Sequence, residues 1–247
     1  MTTDAATPFH DLDAYVALPR LAGLTLSPDG SRLVTAVQTL DPKRTRYVTA
    51  LWEVDPTGGS PARRLTRSAK GESSALFAAN GDLLFTSARP DADTGDTDDG
   101  APRPALWLLP AGGGEARVVA TAPGGVGGVT VARDGSTVSV AASLLPSSTG
   151  LDDDAKRRKA RKDHKVAAIL HDGYPVRYWD HDLGPDRPHR FVADLAALTD
   201  EVPGALVPAP SSGEKEEETP EPPKAPGSSS ATSRPPRARR SRTRTPT

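Results

Sequence analysis

The sequence predicts an all-β chain made of repeated four-stranded units. Three observations carry this: one hairpin pattern occurs three times, a second recurs in phase with it, and the copies are spaced by about 50 residues. The first hairpin reads Leu-Thr-Leu-Ser-Pro-Asp-Gly-Ser-Arg-Leu-Val-Thr-Ala-Val from Leu24 to Val37, and it returns from Ala75 to Ser87 and from Val129 to Ala141. Each copy sets two alternating apolar–polar stretches around Asp-Gly or Asn-Gly, residues that suit the positive φ angles of tight hairpin turns. The turn glycines Gly30, Gly81 and Gly135 are 51 and 54 residues apart.

The second hairpin joins Ala50–Asp55 to Ala62–Thr66 through Gly58-Gly59, and Ala105–Leu109 to Ala116–Ala120 through Gly112-Gly113-Gly114. Trp52 and Trp107 fall at equivalent places, 55 residues apart, which points to packing between units rather than a ligand cage. Arg190-Phe-Val-Ala-Asp-Leu195 repeats the first strand once more. Two hairpins per period make one blade, so residues 1–203 read as a partial β-propeller of about three four-stranded blades. The glycines of Gly124–Gly128 are expected in hairpin turns.

Three segments depart from the strand pattern. Residues 10–18 suit a short amphipathic helix. Residues 151–165 open with Asp152, Asp153 and Asp154 and close with bases, an order that complements a helix macrodipole. With almost no apolar stripe, this segment is expected to be an exposed, solvated helix. The acidic stretch from Asp91 to Gly100 interrupts the second unit and reads as a solvated loop. It lacks the correctly spaced glutamate of a calcium loop.

Residues 204–247 hold no aromatic residue and, of the large aliphatics, only Leu206 and Val207. Such a segment cannot bury enough surface to offset the entropy of ordering, so a disordered low-complexity tail is expected. Abundant Arg, Ala, Gly and Pro suggest GC-rich coding DNA, in which a shifted frame gives an Arg/Pro/Ser/Thr-rich product. A frameshifted or truncated product is therefore favoured over an evolved tail.

Composition limits the chemistry. The 247 residues contain no cysteine, which removes disulfides, thiolate metal sites and cysteine nucleophiles. A net charge of −1 gives no global pull toward nucleic acid or anionic membrane. The basic run Lys156–Lys165 and the Arg-rich end, 234–247, lack interleaved aromatics, so a nucleic-acid partner is not expected. With no long apolar run, neither is a membrane partner, and the default compartment is the cytoplasm. His164, His171, His181 and His189 are spaced too irregularly for a metal site, and no cofactor is expected.

Leu18-Pro19-Arg20, the Ser27-Pro28-Asp29-Gly30 turn, Val166–Leu170, Tyr178–Leu183 and His189–Leu195 stand in an order that resembles the N-terminal propeller of the prolyl oligopeptidase family of serine peptidases. The similar branch is the acylaminoacyl-peptidase-like one, and the resemblance covers residues 9–203. It implies a propeller of about seven blades joined to a C-terminal α/β-hydrolase domain with a Ser–Asp–His triad. It also implies short-peptide substrates, admitted past the propeller.

A Gly-x-Ser-x-Gly elbow is absent from this chain. Ser60 and Ser136 sit in turns, so no catalytic residue is assigned. The expectation is a propeller fragment that is inactive alone. The alternative is a non-catalytic interaction module with an Arg-rich tail. Expected partners are a catalytic-domain chain or a second copy, paired through open sheet edges. Arg177-Tyr178-Trp179 lies outside the repeat register and is a possible channel-facing group.

Overall fold

The computed structural model describes residues 7–90, 102–171, 173–199 and 207–208. The acidic stretch from Asp91 to Gly100 and the tail from residue 209 onward lie outside the described residues. A short 3-10 turn, Pro8–His10, and helix α1, Leu12–Ala17, precede the first strand. The helix is shorter than the sequence suggests and buries none of its residues, so its amphipathic pattern goes unused. It is held by polar contacts instead: the Tyr47 hydroxyl donates to the Val16 carbonyl at 2.6 Å, and Arg44 pairs with Asp13 at 3.5 Å.

Three four-stranded antiparallel sheets follow. The first contains β1 (Arg20–Leu26), β2 (Leu33–Leu40), β3 (Tyr47–Val54) and β4 (Arg63–Arg64), in chain order. The second contains β5 (Glu72–Phe77), β6 (Leu83–Ser87), β7 (Ala105–Leu109) and β8 (Arg117–Ala120), again in chain order. The third begins with β9 (Val126–Val131) and β10 (Thr137–Leu144). A long insertion then carries helix α2 (Leu151–Asp163) and a two-stranded hairpin, β11 (Arg177–Tyr178) with β12 (His181–Asp182). The sheet is completed by β13 (Arg187–Asp194), which runs into helix α3 (Leu195–Thr199), and by β14 (Val207–Pro208) on its outer edge. That last strand pairs with Phe191 and Val192, beyond residue 203. The chain is thus mostly β and propeller-like, with three sheets of four strands as the repeats predict.

The turn geometry differs from the sequence expectation. Only the glycine of each pair is left-handed, with φ of 75° at Gly30, 86° at Gly81 and 74° at Gly135. A two-residue turn with both central residues at positive φ is therefore not formed. Each loop is longer and closes on an i to i+3 bond, as from Gly30 N to Ser27 O at 2.9 Å. The Asp29 carboxylate accepts from the Ser27 and Ser31 hydroxyls, bonds that hold its pKa down at about 2. Glycines 124–128 are not hairpin turns. Gly125, at φ 87°, turns the chain between the second and third sheets, and Gly127 and Gly128 lie within β9.

Packing follows the strand alternation. Trp52, Trp107 and Phe191 occupy one register position in the three sheets, opposite Thr35, Phe85 and Val140. Trp107 lies between the first two sheets with Val34, Leu51, Phe77, Leu83 and Phe85. Phe191 lies between the second and third with Leu84, Leu106, Val138 and Val140. Each aromatic thus faces the preceding sheet. Trp107 and Phe191 are 2% and 1% exposed. Trp52 is only half-buried and joins neither core, because no preceding sheet covers it among the described residues.

The charged helix is not simply solvated. Asp154 is fully buried, and its carboxylate accepts from Leu145 N at 2.7 Å, Ser148 Oγ at 3.2 Å and Arg158 Nε at 2.6 Å. Arg158 also reaches Asp186 at 3.0 Å and the Ser143 carbonyl, so one ion network pins α2 to β10 and to the chain entering β13. Removing one partner of a buried, hydrogen-bonded pair costs about 3–5 kcal/mol. Asp154→Ala is expected near the lower end, since Arg158 keeps Asp186. Urea unfolding of both proteins checks this.

Candidate functional site

The first strands of the three sheets lie side by side: β5 contacts both β1 and β9. Each carries or faces a register shift, at Leu21/Gly23, at Ser73/Leu76 and opposite Val140/Ala142. The extra residues there are small, because a bulge turns the backbone toward its neighbour. Ser74 takes the place that Gly23 and Gly128 hold in the other sheets. It adopts φ 53°, a left-handed conformation that is uncommon for a residue with a Cβ.

A cavity of about 320 Å³ opens between the first and second sheets at this point. Thr25, Gln38, Thr49, Glu72, Ser73 and Ser74 supply its polar side chains. Glu72 is 2% exposed. Its carboxyl group accepts from Thr66 Oγ1 at 2.8 Å and from Ser68 N at 3.2 Å, while Thr66 Oγ1 accepts from Leu51 N at 2.9 Å. Burial pushes the Glu72 carboxyl above its ordinary value, against the pull of those hydrogen bonds. The chain Leu51–Thr66–Glu72 therefore ties the end of the first sheet to the start of the second. The cleft offers hydroxyls, an amide and a carboxyl group. No histidine is among its lining residues.

A second concavity, about 340 Å³, is lined by Arg103, Leu145, Arg158, Arg161 and the Leu183–Asp186 segment. All three of its arginines are held by the protein itself: Arg103 donates to the Pro123 carbonyl, Arg158 pairs with Asp154 and Asp186, and Arg161 donates to the Ala168 carbonyl at 2.9 Å.

The residues weighed from the sequence do not converge. His164 caps the end of α2, His171 follows it in the insertion, His181 starts β12 and His189 is exposed on β13. Among the described residues no group of three His, Cys, Asp or Glu side chains could hold a metal ion. Ser60 is exposed in a turn, and Ser136 donates to its neighbour Asp134 at 2.9 Å. Trp179 is 97% exposed at the tip of the β11–β12 hairpin. No helix among the described residues is long and apolar enough to cross a membrane.

Glu72 was not singled out from the sequence, though a signal existed. It occupies the repeat position of Leu21 and Val126, so an acid stands where the pattern asks for an apolar side chain. Asp154 gave no such signal, because its burial depends on how β10 folds against the insertion.

The Glu72 shift has a defined consequence. A carboxyl whose folded pKa lies above its unfolded value near 4.5 contributes fully below that value and loses its contribution as pH rises through the folded pKa. Relative to Glu72→Gln, the native chain should therefore lose stability from about pH 4.5 upward. Paired denaturation curves across that range check it; a constant difference contradicts it.

No family model and no curated protein matches the chain. Solved structures do. An acylaminoacyl peptidase in complex with Z-Gly-Gly-Phe-chloromethyl ketone aligns with a TM-score of 0.51 at 9% identity, over 74% of this chain and 24% of that one. The acylaminoacyl peptidase of Pyrococcus horikoshii aligns with a TM-score of 0.50 at 9% identity, over 73% and 24%. TolB from Acinetobacter baumannii aligns more loosely, with a TM-score of 0.42 at 14% identity, over 76% and 32%. The chain thus spans about a quarter of the length of those peptidases, and at these identities the likeness is one of fold: a distant, propeller-like arrangement of four-stranded sheets.

Proposed function

We propose that this chain is the propeller portion of a serine peptidase of the acylaminoacyl-peptidase type, acting to restrict access to a hydrolase domain that these residues do not supply. The observation that carries this reading is the agreement of two likenesses: the motif order over residues 9–203, and the alignment of 74% of the chain with an acylaminoacyl peptidase. The substrate class is short peptides, attacked by a serine nucleophile located elsewhere. The chain by itself is catalytically silent.

A second reading, a non-catalytic interaction module, is favoured by a specific feature of the third sheet. On its outward face Ser139 stands where the other sheets have Val34 and Leu84, and Arg190 stands where they have Leu51 and Leu106. A polar outer face suits the last unit of an array better than one that another sheet must cover.

Two measurements separate the readings. Purified chain incubated with acyl-aminoacyl and aminoacyl amides should give no turnover above background; turnover that survives repurification overturns its inactivity. Translation of the coding DNA from codon 195 in all three frames should reveal further blades and a Gly-x-Ser-x-Gly elbow if the peptidase reading holds. Their absence from every frame favours the module.

A further inference from the structure

We propose that a second copy of this chain docks on the open face of the first sheet, the two copies being related by a two-fold axis. The proposal rests on the interaction-module reading.

Strand register defines that face. Leu24, Thr35 and Trp52 form one cross-strand row, and Leu26, Leu33 and Val54 form the next. Leu24 is 69% exposed and Leu26 54%, and Leu21, in the adjoining row, is 77% exposed. Contiguous apolar surface of this kind marks an interaction site on a soluble protein.

The repeat indicates what covers it. Leu26, Leu33, Trp52 and Val54 occupy the same register positions as Phe77, Leu83, Trp107 and Leu109 of the second sheet. In the second sheet those positions pack against another sheet: Leu83 is fully buried and Trp107 is 2% exposed. The open face of the first sheet therefore has the chemistry of a surface that receives an apolar sheet.

Two copies offer each other two choices. The outward face of the third sheet would bring Arg190 and Ser139 against Trp52 and the leucines, burying a guanidinium with no acid opposite it on the first sheet. The other choice is the same face of the second copy. It carries no acidic residue in β1–β4 and one base, Arg64, in the edge strand beside Trp52. Two such faces meet without charge repulsion in their centre. Self-pairing of one patch closes at two copies, whereas head-to-tail pairing would run on into larger assemblies.

The test uses the full chain, by analytical ultracentrifugation over a range of micromolar concentrations. A dimer is expected. Leu24→Glu and, separately, Trp52→Glu should each weaken it at least about tenfold, with circular dichroism unchanged. Arg190→Glu should leave it intact. Because the chain has no native cysteine, Leu24→Cys can be probed with a short thiol–thiol cross-linker. It should yield a covalent dimer, and Arg190→Cys should not.

A monomer at every concentration overturns the proposal, and so does a monomer whose Leu24→Cys thiol resists modification, since another segment of the same chain then covers the face. Open-ended oligomers that cross-link through Arg190→Cys overturn it, as does a dimer indifferent to Leu24→Glu and Trp52→Glu. A monodisperse monomer leaves the module reading standing.

Discussion

A four-stranded sheet has two faces, and each apolar one must be covered by another layer. This constraint organises the molecule. The second sheet meets it completely, with Phe85 and Trp107 on one face and Leu84, Leu106 and Leu108 on the other, all 2% exposed or less. Its neighbours meet it on one side only. Placing the aromatic of each sheet against the preceding one sets a direction to the stack, so its two ends differ: one apolar with Trp52, the other polar with Arg190.

Polar groups fix how the sheets meet. Arg32 pairs with Glu53 at 2.6 Å within the first sheet and donates to the Gly81 carbonyl in the turn of the second. Arg89 lies over the Trp107 ring at 3.7 Å, while the indole N–H donates to the Ser87 carbonyl. Glu72 and Asp154 act at the two places where the chain leaves the strand pattern, the joint between sheets and the root of the insertion. Among the described residues no buried side-chain nitrogen or oxygen lacks a hydrogen-bond partner. Stability thus comes from apolar contact across the sheets, and alignment from a few buried or half-buried charges.

The functional reading follows from what these features lack as well as what they provide. In the cleft at Glu72, the carboxyl group and the Thr66 hydroxyl are taken up by hydrogen bonds that join two sheets. The likeness to acylaminoacyl peptidases is one of sheet arrangement, at 9% identity and over about a quarter of those chains.

The sequence by itself determined the repeated hairpins and the three four-stranded units, but not the β11–β12 hairpin or the edge strand β14. Alternation with period two and glycine at the turns are local properties, and they repeat. It also marked equivalent positions correctly, Trp52 with Trp107, without showing that their burial differs. The tertiary structure decided everything that depends on a neighbour. Trp107 is covered because a sheet precedes it, and Trp52 is not. Asp154 is buried because β10 and the insertion close over it, although its own helix looks solvated residue by residue. The Asp-Gly turns adopt a longer loop than their dipeptides suggest, because the serines beside Asp29 and the carbonyls across the loop supply competing hydrogen bonds. Local pattern fixes which face of a strand is apolar; only the assembled layers fix whether that face meets protein or water.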